Sequence, residues 1–345
     1  MLRVLLILVM FLVAAPIQGA SPGTRVSECE FPDSIRHSPP GAGQNPTQVR
    51  VGVYLVDIPK IDDADQSYVA DIFLRYEWRD ERLASGRDAP CTVPLAAVWN
   101  PDVLVVNRRS VESLMNQVVE IQPDGRVRHL QRFYGSFALP LDLTRFPFDK
   151  QQLPVTLVAR FSPDQLKLIP DDELVAMAEK LSNPNWTIGD PLLSSGTYEV
   201  LPGRSIAQLK ILFPAERRSA YYIWKLIVPM SFVVFMSWAA FWISPQNIAP
   251  RIGLSATSML TLIAFRLALG SSLPPIPYLT EFDVFTIGST MLVFAALVEA
   301  VVTTALWDNE RKQSAHRLNH VSKVLFPAAF AMVVVLSFSR FAVPV

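Results

Sequence analysis

Between residues 69 and 78 apolar and polar side chains alternate, with Ile72, Leu74, Tyr76 and Trp78 on one face and Phe73, Arg75 and Glu77 on the other. A period of two with one apolar face predicts a half-buried β-strand. Val118 to Ile121 and Val127 to Phe133 flank Pro123-Asp124-Gly125. Asp-Gly accepts positive φ, so these two runs predict a hairpin. Short strands with turn punctuation continue from Val49 to about Arg218, which predicts an immunoglobulin-like β-sandwich over residues 49–218.

Beyond residue 218 the period changes. Tyr221 to Ile243 and Phe282 to Leu306 are apolar and long enough to cross a bilayer, which takes about 20 residues, and Val324 to Phe341 is just long enough. Between the first two lies Ile252 to Leu269, also of helical length, carrying Ser255, Thr257, Ser258, Thr261 and Arg266. Lipid accepts that many polar groups only at high cost, so this helix is expected to face protein or water. The pattern predicts a four-helix transmembrane bundle over residues 219–345, with helices at about 221–243, 250–270, 282–306 and 321–341. Arg311, Lys312, Arg317 and Lys323 follow the third helix with few acids between them, which puts that segment in the cytoplasm and the sandwich and C-terminus outside.

The opening of the chain agrees with export. Arg3 precedes an apolar run from Val4 to Ala15 and then small residues to Ala20, the pattern of a secretory signal peptide over residues 1–20. Residues 21–48 are rich in Pro, Gly, Ser and charge and read as a loosely ordered leader. Export would carry Cys29 and Cys91, the only cysteines, into an oxidising compartment. A disulfide and two separate buried thiols both fit, because sequence does not fix their separation.

Half of the 345 residues are apolar, as suits a membrane protein. The 31 basic and 31 acidic residues balance, so no overall field points to nucleic acid. Four scattered histidines form no metal-ligand cluster, and no nucleophile elbow or phosphate loop is present, so neither enzyme chemistry nor a cofactor is expected.

Steps of three or four along the second helix collect Ala249, Gly253, Thr257, Leu260, Ala264, Leu267 and Ser271 on one face, small and polar below and apolar from Leu260 outward. Five such faces around an axis would form a pore, hydrated at Thr257 and constricted at Leu260. A helix buried in a bundle, its hydroxyls bonded to its own carbonyls, fits the same spacing.

The segment Leu139-Pro-Leu-Asp-Leu-Thr-Arg-Phe-Pro-Phe-Asp-Lys-Gln-Gln-Leu153 resembles the signature loop of Cys-loop receptors, with leucines where the animal receptors have bonded cysteines, which is the prokaryotic pattern. Trp78-Arg-Asp80-Glu-Arg82-Leu83, Trp99-Asn-Pro101-Asp102, Glu216-Arg217 and Leu292-Val-Phe-Ala-Ala-Leu-Val-Glu299 add four matches in the family's order. The resemblance is to prokaryotic pentameric ligand-gated ion channels. It implies a homopentamer in a bacterial inner membrane, in contact with membrane lipid, with ligand sites between adjacent sandwiches. It also implies a pore for inorganic ions lined by the second helix. At the junction it assigns coupling to Arg217, its acidic partners Asp149 and Asp63, the loop holding Phe148, and the proline loop ending at Pro277. It marks Phe73, Arg75, Phe133, Phe161 and Tyr198 as ligand-site candidates, for an amino-acid-like or amine-like agonist. Arg251 is one candidate partner for Glu299.

The run Ile248-Ala-Pro-Arg-Ile-Gly-Leu254 resembles that of anion-selective glycine receptors and lacks the glutamate ring of cation-selective members. Anion selectivity is therefore expected, with a ring of Arg251 beside an uncharged mouth. The proton-gated bacterial members carry a histidine where this chain has Leu262. A cation-selective channel of the same family and a non-conducting, membrane-anchored binding protein are the alternatives.

Overall fold

The computed structural model describes residue 29 and residues 31–41, 45–85, 88–269 and 276–338. The expected signal peptide, Ser271 and the prolines at 274 and 275 lie outside the described residues. Twelve strands are described: β1 (Thr47–Asp62), β2 (Ser67–Arg79), β3 (Cys91–Pro94), β4 (Val103–Val105), β5 (Arg108–Ser113), β6 (Val118–Ile121), β7 (Arg126–Ala138), β8 (Lys150–Ala159), β9 (Leu166–Met177), β10 (Trp186–Ile188), β11 (Leu192–Leu201) and β12 (Arg204–Arg217). Seven form one sheet in the order β3-β6-β7-β2-β1-β9 with β5 also on β7, and five form another in the order β10-β12-β8-β4 with β11 on β12. β1 and β9 run parallel.

The alternation that predicts β2 is what builds the core. Ile72, Leu74, Tyr76 and Trp78 are buried, while Phe73, Arg75 and Glu77 are only partly covered. With Val51, Val53 and Leu55 of β1 they meet Leu153, Val155 and Leu157 of β8 and Leu209, Ile211 and Phe213 of β12. Each such side chain contributes roughly 1.5–3 kcal/mol on burial. The β6–β7 hairpin turns at Gly125, whose φ is +82°, and a Cβ there would sit 2.6 Å from the Asp80 carbonyl oxygen. Both constraints require glycine.

Part of the stretch read as a loose leader is folded. A short 3₁₀ helix spans Asp33–His37 with Ile35 buried, Phe31 packs against the core, and Cys29 is joined to Cys91 by a disulfide. β1 itself starts at Thr47. Composition marks residues that cannot build a core alone, but it does not show that two apolar side chains and a cysteine find an existing one.

Among the described residues four helices are long and apolar enough to cross a membrane: α1 (Ala220–Trp242), α2 (Ile248–Leu269), α3 (Glu281–Asp308) and α4 (Lys312–Phe338). α1 contains a π-helical turn at Ile223–Ile227, which ends two residues before Pro229. Proline has no N–H and its ring crowds the carbonyl four residues back, so a wider turn accommodates it. α3 starts with a capping box in which Thr280 and Asp283 exchange hydrogen bonds. α4 begins at Lys312, well before the expected 321, so Lys312, Arg317 and Lys323 stand on a helix rather than in a loop. Hydropathy registers only the apolar part of a helix. The polar turns of α4 are held by contacts that hydropathy does not report: Trp307 packs edge-on against His316 at 5.4 Å, and Asn319 is buried.

Candidate functional site

α2 divides cleanly by exposure. Arg251, Ser255, Ser258 and Leu262 are buried against the other helices of the subunit, and Ala249, Gly253, Thr257, Leu260, Ala264 and Leu267 are all exposed. The two readings of the hydroxyls prove to belong to different residues. Ser255 and Ser258 donate to the carbonyls of Arg251 and Leu254 from the buried face. Thr257 donates to the Gly253 carbonyl at 2.8 Å yet remains on the exposed face. Leu260 is 68% exposed within the subunit.

Arg251 corrects an expectation. It is fully buried, and its Nη2 donates to Glu299 Oε2 of α3 at 2.7 Å and to Asn319 Oδ1 of α4 at 2.8 Å. Asn319 in turn donates to the Phe241 carbonyl of α1 at 3.0 Å, and Thr303 donates to the other Glu299 oxygen at 2.8 Å. One polar network thus ties all four helices at a single level. Arg251 therefore presents no ring of charge to the exposed face, because its guanidinium points the other way and a carboxylate neutralises it. Sequence reasoning named Glu299 as a candidate partner, but Asn319 carried no signal within a segment read as loop.

At the junction of sandwich and helices the structure brings Asp63, Asp149 and Arg217 together. Arg217, 5% exposed, donates to both oxygens of Asp63 at 2.7 and 2.9 Å and to both oxygens of Asp149 at 2.7 and 3.2 Å. The Trp186 ring lies 4.2 Å from its guanidinium carbon and the Phe146 ring 5.0 Å. Burial alone would lower the Arg217 pKa, but the hydrogen bonds and charges of Asp63 and Asp149 outweigh it and hold it above the usual value. The cation is thus fixed as a charged strut, satisfied on its edge by two carboxylates and on its faces by aromatic rings.

The loop around Phe146 is keyed into the helices. Glu281 and Phe282 donate their backbone N–H groups to the carbonyls of Thr144 and Phe146 at 3.0 and 3.2 Å. Those are first-turn donors of α3, which have no partner inside the helix, so the loop serves as its cap. Tyr278 receives the Leu143 N–H at 3.0 Å, the Phe146 ring packs on Tyr222 at 4.8 Å and Phe282 at 6.1 Å, and Phe148 meets Phe338 at 5.6 Å. Pro277, expected to receive this loop, is exposed, and its neighbour Tyr278 makes the contact instead. A proline ring has no hydrogen-bond donor or acceptor to offer, whereas the phenol does.

The ligand-site candidates separate into three groups. Phe73 and Arg75 share the outward face of β2, as alternation requires. Arg132 lies 5.2 Å over the Phe73 ring and is itself held by both oxygens of Asp71 at 2.9 and 2.7 Å, while Arg75 is paired with the buried Asp171. Asp71, Arg132 and Asp171 were not anticipated, because cross-strand register is invisible in the sequence. Phe133 stands opposite Ile72 in the β2–β7 register, on the inward face, and so is not brought to Phe73. Phe161 packs on Trp99 at 5.5 Å, and Tyr198 lies partly exposed on β11 in the other sheet. Tyr198 therefore stands on a different sheet from Phe73 and Arg75, and Phe161, just after β8, is partly buried against Trp99.

A sandwich keyed through a charged strut and a helix-capping loop into four membrane-length helices defines a class: a membrane receptor with its sensing and spanning parts in mechanical contact. Comparison with known proteins makes the class specific. The neurotransmitter-gated ion-channel ligand binding domain matches residues 34–188, and the neurotransmitter-gated ion-channel transmembrane region matches residues 226–338. A proton-gated ion channel of Gloeobacter violaceus is 28% identical over 316 residues, covering 88% of this chain and 86% of that protein. The gamma-aminobutyric acid receptor subunit beta-4 of Gallus gallus is 28% identical over 297 residues, 82% of this chain and 60% of the subunit. The glycine receptor subunit beta of Rattus norvegicus is 28% identical over 287 residues, 79% and 58% respectively. The chain thus spans less than two thirds of those animal subunits. It belongs to the neurotransmitter-gated, or Cys-loop, family of pentameric ligand-gated ion channels, as a multi-pass membrane protein with an extracellular sandwich.

Proposed function

We propose that five copies of this chain form a homopentamer in a bacterial inner membrane, in which an agonist bound between adjacent sandwiches opens an anion pore lined by α2. The observation that carries this is the division of α2: every described residue of the expected pore face is exposed in the subunit, while Arg251, Ser255, Ser258 and Leu262 behind it are covered. In a ring of five, Thr257 forms a hydroxyl girdle and Leu260 the constriction that closes by dewetting.

Tyr198 stands on β11 of one sheet and Phe73 and Arg75 on β2 of the other, so a pocket using both would lie across a subunit boundary. That separation supports a shared ligand site. With Arg75 already paired to Asp171, an incoming carboxylate would have to share its guanidinium, whereas an ammonium group would find aromatic faces. An amine-like agonist suits this arrangement better than a free carboxylate. The Arg217 cluster and the loop capping α3 form the path by which closure around the agonist reaches the helices.

Anion selection rests on the uncharged mouth at Ala249 and Pro250, since Arg251 is turned inward and neutralised. Reversal potentials of the purified protein in planar bilayers under a sodium chloride gradient test it. A reversal near the chloride equilibrium potential is expected; one near the sodium potential would overturn the anion assignment and leave the channel reading standing.

A further inference from the structure

Arg266 is a guanidinium in the outer part of a membrane-length helix. It is exposed, and among the described residues it has no hydrogen bond, ion pair or ring contact within its own subunit. Trp224 is 71% exposed in the π-helical turn of α1 and is equally without a partner among the described residues. An intramembrane charge calls for a partner.

The two residues lie in one layer. The Phe146 ring touches both Tyr222 and Phe282, so those two are level, and two residues further along α1 and α3 stand Trp224 and Val284. From the other end, Arg251 touches Glu299, so α2 and α3 are level there. Fifteen residues up α2 is Arg266 and fifteen residues up α3 is Val284, in each case about 22 Å at 1.5 Å per residue. Arg266, Val284 and Trp224 are therefore at one depth.

The carboxylates nearest that depth on α3 are engaged. Asp283 closes the capping box with Thr280, and Glu281 is buried in its own subunit. Arg266 shares a flank of α2 with Met259 and Ile263, beside the exposed face that carries Leu260. In a ring of five helices the flanks meet neighbouring subunits, and this step rests on the pentameric pore proposed above.

We propose that Arg266 of one subunit stacks on Trp224 of the neighbouring subunit, a cation–π contact that closes the subunit interface in the outer part of the membrane. It joins the pore helix of one copy to the π-helical turn of the next, one layer below the Phe146 loop. Movement of either helix during opening would then be felt in the adjacent subunit.

The test is cross-linking of the full-length assembly carrying Arg266→Cys and Trp224→Cys, with a short bifunctional thiosulfonate, since Cys29 and Cys91 are already joined. A ladder from dimer to pentamer on a denaturing gel is expected from the double variant and from neither single one. An assembled pentamer whose thiols both label but do not cross-link would overturn the contact. So would a ladder that forms with Asp283→Cys in place of Trp224→Cys. If native mass measurement shows no pentamer of the parent protein, it is the pentameric reading that fails. Should the double-cysteine protein not assemble, Arg266→Gln and Trp224→Leu are compared alone and together. Melting of the pentamer is expected to fall equally in each single variant and no further in the double; additive losses would contradict the proposal.

Discussion

Leu260 and Arg217 sit at opposite extremes of exposure, and that decides how each should respond to replacement. Leu260 is largely exposed in its own subunit, so Leu260→Ser should leave the subunit's stability within roughly 0.5 kcal/mol. Its effect should fall on the constriction, which a hydroxyl wets. Planar bilayers with the variant should carry current without added agonist; silence like that of the parent would remove Leu260 from the gate. Arg217 is the reverse case, because breaking a buried pair costs about 3–5 kcal/mol. Its two acids are not equal, since the Asp149 side chain is 1% exposed and that of Asp63 14%. Asp149→Asn should therefore reduce the recovery of assembled protein on size exclusion more than Asp63→Asn does. Equal recovery would mean that burial does not set the strength of the cluster.

Among the elements, the polar network at the lower end of the helices and the β7 strand of the sandwich make separate predictions. Glu299→Gln removes the only carboxylate found on the fully buried Arg251 among the described residues, and should cost about 3–5 kcal/mol. Asn319→Leu removes a neutral partner, at about 1–3 kcal/mol. Heat stability of the detergent-solubilised assembly should rank parent, Asn319→Leu, Glu299→Gln in descending order. In β7, the His129 Nδ1 lies 2.8 Å from the Val118 carbonyl, which can only accept, so that nitrogen carries the proton. Burial lowers the His129 pKa below 6.5, and the Val118 bond offsets this only in part. Below pH 6.5 the unfolded chain binds the extra proton first, so the sandwich loses stability as pH falls and is unaffected above that value. Melting of the parent and of His129→Gln above and below pH 6.5 checks this: the parent's acid-side loss should shrink in the variant.

The same elements mark what can be read from a chain. The β2 alternation and the hairpin at Gly125 are local, and they stand where the pattern puts them. The Arg217 cluster was legible because a buried arginine demands acids and a motif named them. Phe133 was not, because its face depends on the β2–β7 register, and that is set by residues far apart in sequence. The direction of Arg251 escaped for a related reason: helical spacing gives its angle relative to Thr257, not which angle faces the other helices. The early start of α4 depends on Asn319 finding Phe241 and Arg251, a contact that no window of sequence contains.

For the whole molecule, the family and the membrane-length helices set the architecture, and the proposed pore face is the exposed face of α2. With Arg251 withdrawn from that face, Ala249→Glu should place carboxylates at the pore mouth without an opposing guanidinium beside them. Reversal potentials in a sodium chloride gradient should then move toward the sodium value; no movement would place the selective ring elsewhere. The pore assignment itself is tested most directly by cysteine replacement along α2, with a charged water-soluble thiol reagent applied while current is recorded. Cysteines at Thr257 and Ala264 are predicted to react and block the current, and cysteines at Ser258 and Leu262, one turn apart on the covered face, to leave it unchanged. Block from the covered face, with none from Thr257 or Ala264, would contradict an α2-lined pore.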